Sequence, residues 1–311
     1  MRIRVVTTEY PPFFGGVGTW AGAVAGALVG AGHEVDVFAR FGEPAADMSF
    51  HRLRGPSWNR WGHLWAAAAL RPRLGRDDVV LCSTWPLALA LPDDRPVLVG
   101  WHGSDLTRPA LVPGRDRVAA RAKNLPVSRF LGGLLGAPHT VLPFPIEPMA
   151  PALRGDTILS VSRLIEPKGV DRVLRLGARL GRPVVVVGEG PERVKLEALA
   201  ARLGVRARFL GATRDIPWDG TWALALLSRP YADGSGAEGL GLVLLEAAAR
   251  GIPTIGSAVG GIPEAASVVL RDLDNDDVPA LPPAEDVQGW LDRHHGVRRC
   301  VETLEAAMAG R

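Results

Sequence analysis

Two doubly wound α/β domains in series, each built on a parallel sheet, are the fold class that this sequence predicts. Three observations carry that expectation. Short apolar runs rich in valine and isoleucine alternate with helical patterns from one end of the chain to the other. The alternation stops once, in a proline-rich stretch near the middle, and then restarts. A length of 311 residues suits two domains of roughly 100 to 200 residues, each able to bury its own core.

The first domain opens with a β-branched run at 3–7, a Pro- and Gly-rich loop, a helical pattern at 19–31 and a strand at 34–39, together a βαβ unit. Apolar strands follow at 79–83, 97–101, 125–127 and 140–142. Continuous apolar runs of this kind suit parallel strands covered on both faces. Residues 143–155 contain Pro143, Pro145, Pro148 and Pro151, have no helical or strand period, and read as a linker. Beyond it come a strand at 158–162, a helix at 170–180, a strand at 184–187, a helix at 192–203 and a strand at 208–210. Next are a run at 222–227, a helix at 242–250, a strand at 253–256 and a weaker one at 268–270. Helical patterns at 286–295 and 297–309 close the chain. The expected domains are 1–145, completed by a C-terminal helix at about 296–311, and 152–295.

Composition narrows the function classes. Hydrophobic residues at 47% and charged residues at 22% are those of a packed, water-soluble chain, which excludes disordered and fibrous classes. Cys82 and Cys300 stand too far apart in sequence to form a disulfide or zinc framework, and their scarcity fits a reducing cytoplasm. The apolar segment 20–31 is shorter than the roughly 20 residues that span a bilayer, so neither a signal peptide nor a spanning helix is expected. The net charge is +3, and only three of the 36 basic residues are lysines (Lys123, Lys168 and Lys195). That skew reads as coding bias in a GC-rich bacterial genome, not as a nucleic-acid surface.

Ligands of doubly wound sheets bind beyond the carboxyl ends of the strands, which is where the candidate motifs fall. Gly15-Gly16-Val17-Gly18 follows the first strand and opens a helix, where Gly16 and Gly18 can offer amides to an anionic phosphate; the alternative is a simple turn. The spacing is not G-x-G-x-x-G, and the second strand ends in Phe38-Ala39-Arg40 without an acidic residue for a ribose diol, which disfavours a dinucleotide cofactor. His102-Gly103-Ser104-Asp105 sets an imidazole and a carboxylate on another such loop, the alternative being a structural histidine. Arg163 and Lys168 flank the loop after the second domain's first strand; two cations there suit a diphosphate, or make a solvated pair. The strongest signal is the glycine-rich segment from Ser235 to Ala247, with Glu238 before the amides of Gly239, Leu240 and Gly241, and Glu246 in the helix that follows. Those amides point at an anion from a helix N-terminus, and Glu246 can accept hydrogen bonds from adjacent hydroxyls such as those of a ribose.

These motifs resemble the family 4 retaining glycosyltransferases, which have the GT-B fold of two facing Rossmann-like domains. The resemblance also takes in Val127-Ser128-Arg129-Phe130, Ser162-Arg163-Leu164 with Lys168-Gly169, Val187-Gly188-Glu189-Gly190-Pro191, Phe209-Leu210-Gly211 and Gly260-Gly261-Ile262-Pro263-Glu264, and so spans most of the chain. It implies Arg163 and Lys168 on the donor diphosphate, Glu246 on the ribose, Glu238 and the following amides near the sugar, and His102 near the sugar from the other domain. Gly16, Gly18, Gly188, Gly190 and Leu210 join the expected donor contacts. Two departures stand out: Phe144-Pro145-Ile146 where relatives often read Asn-Gly, and a shorter tail.

Trp58, Trp61 and Trp65 recur at helical spacing, and read as core, as an acceptor wall or as an interfacial surface, with Asp105, Trp58 and Trp61 the expected acceptor contacts. Arg108, Arg115, Arg117, Arg121 and Lys123 form a basic stretch, either a solvated face or a surface for anionic lipid or a phosphorylated acceptor. Asp274-Asn275-Asp276 fits a D-x-D metal pattern but lies in an acidic tail loop, so no metal site is read from it. The expectation is a metal-independent, cytoplasmic transferase, without a cofactor, that moves a sugar from a nucleotide-diphosphate sugar to a small-molecule or glycan acceptor, with peripheral membrane contact among its options and no nucleic-acid partner. The rival readings are a nucleotide-sugar epimerase of the same fold and a non-catalytic nucleotide-sugar-binding protein.

Overall fold

The computed structural model describes residues 1–309 except positions 14, 44, 46, 54–69, 76, 90, 93–94, 108–112, 231–237 and 273–274. The chain divides into two compact units, Met1–Pro145 with His295–Arg311, and Ile146–His294.

The first unit holds β1 (Arg2–Glu9), β2 (Glu34–Phe41), β3 (Ser49–Arg52), β4 (Val79–Cys82), β5 (Val97–Trp101) and β6 (Lys123–Pro126). They form one sheet in the order β3-β2-β1-β4-β5-β6, with every pairing parallel. β4 and β5 are buried throughout, as the uninterrupted apolar runs require. The order reverses between β1 and β4, so their connections leave in opposite directions and open a crevice beyond the carboxyl ends. The helix Gly16–Gly30 buries Trp20, Ala21, Val24, Ala25 and Leu28, one stripe at helical spacing. The helix Val297–Ala309 buries Cys300, Leu304 and Met308 in the same unit, where Glu305 Oε1 meets His33 Nε2 at 3.0 Å. Cys82 and Cys300 are both free and buried, and burial pushes their thiols up to about 12.

Two expectations need correction here. β3 reads Ser-Phe-His-Arg and lies at the sheet edge half exposed, so it carries no apolar run from which a strand could be inferred. Residues 140–142 are not a strand. Thr140 and Leu142 donate to the Asn124 and Pro126 carbonyls at 2.9 and 3.0 Å, but Pro126 has no N–H to return the bond, and only an isolated bridge at His139 forms.

The second unit holds β7 (Arg154–Val161), β8 (Val184–Val187), β9 (Ala207–Phe209), β10 (Thr221–Leu226), β11 (Thr254–Ser257) and β12 (Val268–Leu270). Their order, β12-β11-β10-β7-β8-β9, repeats that of the first sheet, again all parallel, with its reversal between β7 and β10. Ile158, Val173, Leu174, Val184, Ala223 and Ile255 are among its core. The helix Val170–Leu180 has the expected bounds because Gly169 and Gly181, at φ of 65° and 63°, bracket it. β7 starts four residues before the expected 158, since its first residues, Arg154 to Thr157, are polar or small and mostly exposed. Among the described residues no helix is long and apolar enough to cross a membrane.

One buried ionic cluster holds the amino-terminal half of the first sheet. Arg4 on β1 donates from Nε to Asp78 Oδ2 at 2.9 Å and pairs with Asp36 on β2, and the Gly75 N–H reaches the same Asp78 oxygen at 2.7 Å. Burial pushes the Asp78 carboxyl upward, but the Arg4 and Gly75 hydrogen bonds and the charges of Arg4 and Arg2 outweigh it, leaving the group below its ordinary 3.8. A carboxylate held below its unfolded value contributes stability above that value and loses it as pH falls through the folded one. The urea midpoint should therefore hold from about pH 7 to pH 5 and drop below about pH 4, and Asp78→Asn should flatten that drop. A variant with the same acid limb as the parent would count against this cluster.

Candidate active site

Three loops leave the carboxyl ends of β7, β8 and β9 and are tied backbone to backbone. Leu164 N–H donates to the Glu189 carbonyl at 2.8 Å, Glu192 N–H to that of Leu164 at 3.1 Å, and Gly188 N–H to that of Gly211 at 2.8 Å. A Cβ at Gly188 would land on the Ser162 carbonyl oxygen, and one at Gly190 on that of Leu164, so glycine is the residue that lets these loops approach. Leu210 is anchored through its N–H to the Val186 carbonyl at 2.9 Å and leaves its side chain exposed.

Lys168 ends the short 3-10 turn Glu166–Lys168, started by Pro167. The following Gly169 presses on the Leu227 carbonyl at the end of β10, where no side chain fits. From that turn Lys168 Nζ reaches Glu238 Oε2 at 2.5 Å, with side chains only 20% and 18% exposed. Ser228 Oγ donates to the same oxygen at 3.4 Å, and Ser257 Oγ holds the Ser228 carbonyl at 2.6 Å. The Glu238 carbonyl accepts the Gly261 N–H at 2.9 Å, beside Gly260 at φ 60°. Glu238 is thus fixed at its carboxylate and at its backbone.

Gly241, at φ 85°, precedes the helix Leu242–Ala249, and Leu240 is buried just before it. The free N–H groups of that first turn and the aligned dipoles behind them favour an anion. Glu246 lies further along this helix. Burial raises its carboxyl, the nearby Arg250 partly opposes the rise, and the carboxylate accepts no hydrogen bond from a described residue. Arg163 is exposed, and its guanidinium has no partner among the described residues. The two expected cations therefore differ: Arg163 is open to a ligand, whereas Lys168 already carries Glu238.

In the first unit His102 follows β5, with its ring edge-on to Trp20 at 4.8 Å between centroids and 80° between planes. Burial pushes the imidazole below its ordinary 6.5 against the opposing pull of Asp105 and a hydrogen bond to the Ser83 backbone, which leaves it neutral at pH 7. His102 Nε2 is buried and has no partner among the described residues. Asp105 spends its carboxylate on its own loop, accepting the His102 N–H at 3.1 Å and the Gly103 N–H at 2.7 Å. At the Gly15–Gly18 loop the sequence missed a group: the Glu9 carboxylate, raised by burial, sits against Gly15, and Gly18 packs over the Glu9 stem. The positive end of the helix Gly16–Gly30, where Gly16 and Gly18 were expected to meet a phosphate, has a carboxylate of its own.

Trp58, Trp61, Trp65, Arg108 and Asp274 lie outside the described residues, as do Ser235 to Ala237. Of the D-x-D segment, Asp276 accepts the Arg271 and Asp272 N–H groups at 2.6 and 2.8 Å, and Asn275 bonds Asp272, which is the work of a turn. In the basic stretch, Arg121 is spent on the carbonyls of Ala88, Leu91 and Pro92. Ser228 and Ser257 were not singled out from sequence, where they read only as strand ends; Gly260-Gly261 was noticed as a motif without a partner.

Comparison with known proteins bears on the family and the fold. Residues 150–267 match the model of glycosyl transferases group 1, and residues 14–143 that of Glycosyltransferase Family 4. A GDP-mannose-dependent alpha-(1-6)-phosphatidylinositol monomannoside mannosyltransferase of Mycolicibacterium smegmatis is 28% identical, over 84% of this chain and 81% of the relative. The glycogen synthase of Mycobacterium tuberculosis is 30% identical, over 85% of this chain and 80% of its own. Among solved structures, AviGT4, a glycosyltransferase involved in avilamycin A biosynthesis, superposes with a TM-score of 0.75 at 20% identity, covering 100% of this chain and 98% of its own. HepE of Anabaena, solved with UDP and glucose, gives 0.74 at 16% identity with full coverage of both. The two-sheet architecture is that of the GT-B glycosyltransferases.

Placing a Cβ at Gly260 forces a left-handed backbone on an alanine and drives it onto the Glu238 carbonyl. Gly260→Ala should cost about 1–3 kcal/mol of stability. It should also weaken nucleotide binding by more than the loss in folded fraction explains, as calorimetry and urea unfolding on the same preparation would show. Unchanged nucleotide affinity would mean that the Glu238 anchor does not shape the site.

Proposed function

This chain belongs to glycosyltransferase family 4, and from that membership we propose that it moves a sugar from a nucleotide-diphosphate donor to an acceptor hydroxyl with retention of anomeric configuration. The observation that carries the reading is the Lys168–Glu238 pair, set beside the N-terminus of the helix Leu242–Ala249. Bond cleavage at the anomeric carbon leaves negative charge on the departing diphosphate. Arg163, Lys168 and the amides of Gly239, Leu240 and Gly241 are the groups assigned to it. They do the neutralising work that a divalent ion does in other transferases, so no metal is required. Glu246 takes the ribose hydroxyls.

Glu238 is engaged by Lys168 and Ser228 and is a poor nucleophile, and no other carboxylate has been assigned to the sugar. The route left is attack from the face of the leaving group, whose oxygen accepts the acceptor's proton. His102, kept neutral, offers Nε2 to a hydroxyl. The first unit is assigned the acceptor. The mannosyltransferase relatives act on phosphatidylinositol monomannoside, which supports a glycolipid of the bacterial envelope as acceptor class, with the enzyme touching the membrane from the cytoplasm.

Arg163→Ala and Lys168→Ala should each lower turnover about a hundredfold or more, the typical effect of removing one such stabiliser. Near-native turnover in both would remove these residues from the site. Product formation should need both donor and acceptor and persist in excess EDTA, and proton NMR should show the donor's anomeric configuration kept in the product. An inverted linkage, or consumption of donor without acceptor, would overturn the reading.

A further inference from the structure

The second unit has a basic cavity of about 610 Å³ that none of the residues assigned to donor or acceptor lines, and that meets the site above only at Ser257. Its walls come from the helix Val170–Leu180 and from the loops after β10, β11 and β12. Four arginines face it, Arg172, Arg175, Arg229 and Arg271, against two aspartates. Asp171 is spent on Arg229, Oδ2 to Nη2 at 2.8 Å, and Asp272 accepts both the backbone N–H and the side-chain amide of Asn275 at 3.3 and 2.7 Å. Arg229 is held further by the Glu166 carbonyl, and Arg172 by those of Leu227 and Ser228. The guanidinium groups of Arg175 and Arg271, by contrast, have no hydrogen-bond or ion-pair partner among the described residues. Two anchored guanidiniums and two open ones thus surround a space of a size that suits small ligands.

We propose that this cavity is a second anion site that binds a phosphomonoester, separate from the donor diphosphate site. A carboxylate satisfies one guanidinium fork, whereas a phosphate dianion has oxygens enough for Arg175 and Arg271 together. Among the described residues the lining offers guanidinium groups and no aromatic face, which favours the phosphate as the recognised group. Position gives the site its consequence. Arg172 and Arg175 sit on the helix that continues from the Lys168 turn, and Arg229 on the strand end that leads to Glu238. An occupant joins the two segments from which that ion pair is made.

The same phosphate can arrive free or on a lipid headgroup, and two probes separate these sources. Calorimetry on the full chain uses glucose 6-phosphate, and flotation uses phosphatidylcholine vesicles with and without phosphatidylinositol 4-phosphate. Both residues are exposed, so R175A/R271A should fold with an unchanged unfolding midpoint. It should bind the probe about tenfold or more weakly, whereas R163A should bind it as the parent does. Loss confined to the calorimetric probe assigns a free phosphomonoester, and loss of flotation assigns a lipid headgroup. Failure of the parent to bind either probe, or binding lost in R163A and kept in R175A/R271A, overturns the site while leaving the transferase reading untouched.

Discussion

A carboxylate withdrawn from water must meet a cation or a set of donors, and in the second unit that requirement joins Lys168 to Glu238. The two residues lie on segments that leave adjacent strands, so the pair closes the mouth of the sheet at the point where its strand order reverses. Much else follows from keeping it closed. Gly169 lets the lysine turn press on β10, Ser228 and Ser257 buttress the carboxylate, and Gly261 holds the glutamate's backbone. With the pair only about one-fifth exposed, removing either partner strands the other in a poorly solvated place, which costs more than the pair itself contributes.

The two sheets share one strand order and differ in charge at the reversal. In the second unit the loops there carry Arg163 and Lys168 beside a helix N-terminus. The first unit puts Glu9 against its own helix start and tucks a neutral His102 against Trp20. One crevice is edged by cations and the other by a buried carboxylate and a neutral imidazole, on the same scaffold. Fold is common to both, and the side chains at the strand ends decide the chemistry.

How much of this was legible from sequence depends on the range of the interaction. Buried strands such as Val97–Trp101 and Val184–Val187 are visible because parallel strands leave no polar face, and the helix Val170–Leu180 because glycines bracket it. β3 was hidden since an edge strand of Ser-Phe-His-Arg owes its existence to β2 and not to its own apolarity. Residues 140–142 misled for the converse reason: their apolar pattern was sound, but a proline in the neighbouring strand withholds the return bond. At the candidate site, Arg163, Lys168 and Glu238 were singled out through their placement near glycines at strand ends, and Glu246 through the helix that follows. The ion pair itself spans 70 residues of sequence and could not be read, nor could Glu9, whose significance comes from the turn folded over it.

The return of the helix Val297–Ala309 to the first unit makes the second unit an insertion in the first. On the ribosome the order of completion is then reversed from the order of synthesis. Residues 146–294 emerge whole and can fold while the first unit, begun earlier, still waits for its last helix. Until that helix arrives, Cys300, Leu304 and Met308 are missing from its core, so the amino-terminal unit is the one exposed to nascent-chain chaperones. A chain cut before residue 297 would damage the beginning of this protein, not the part it follows.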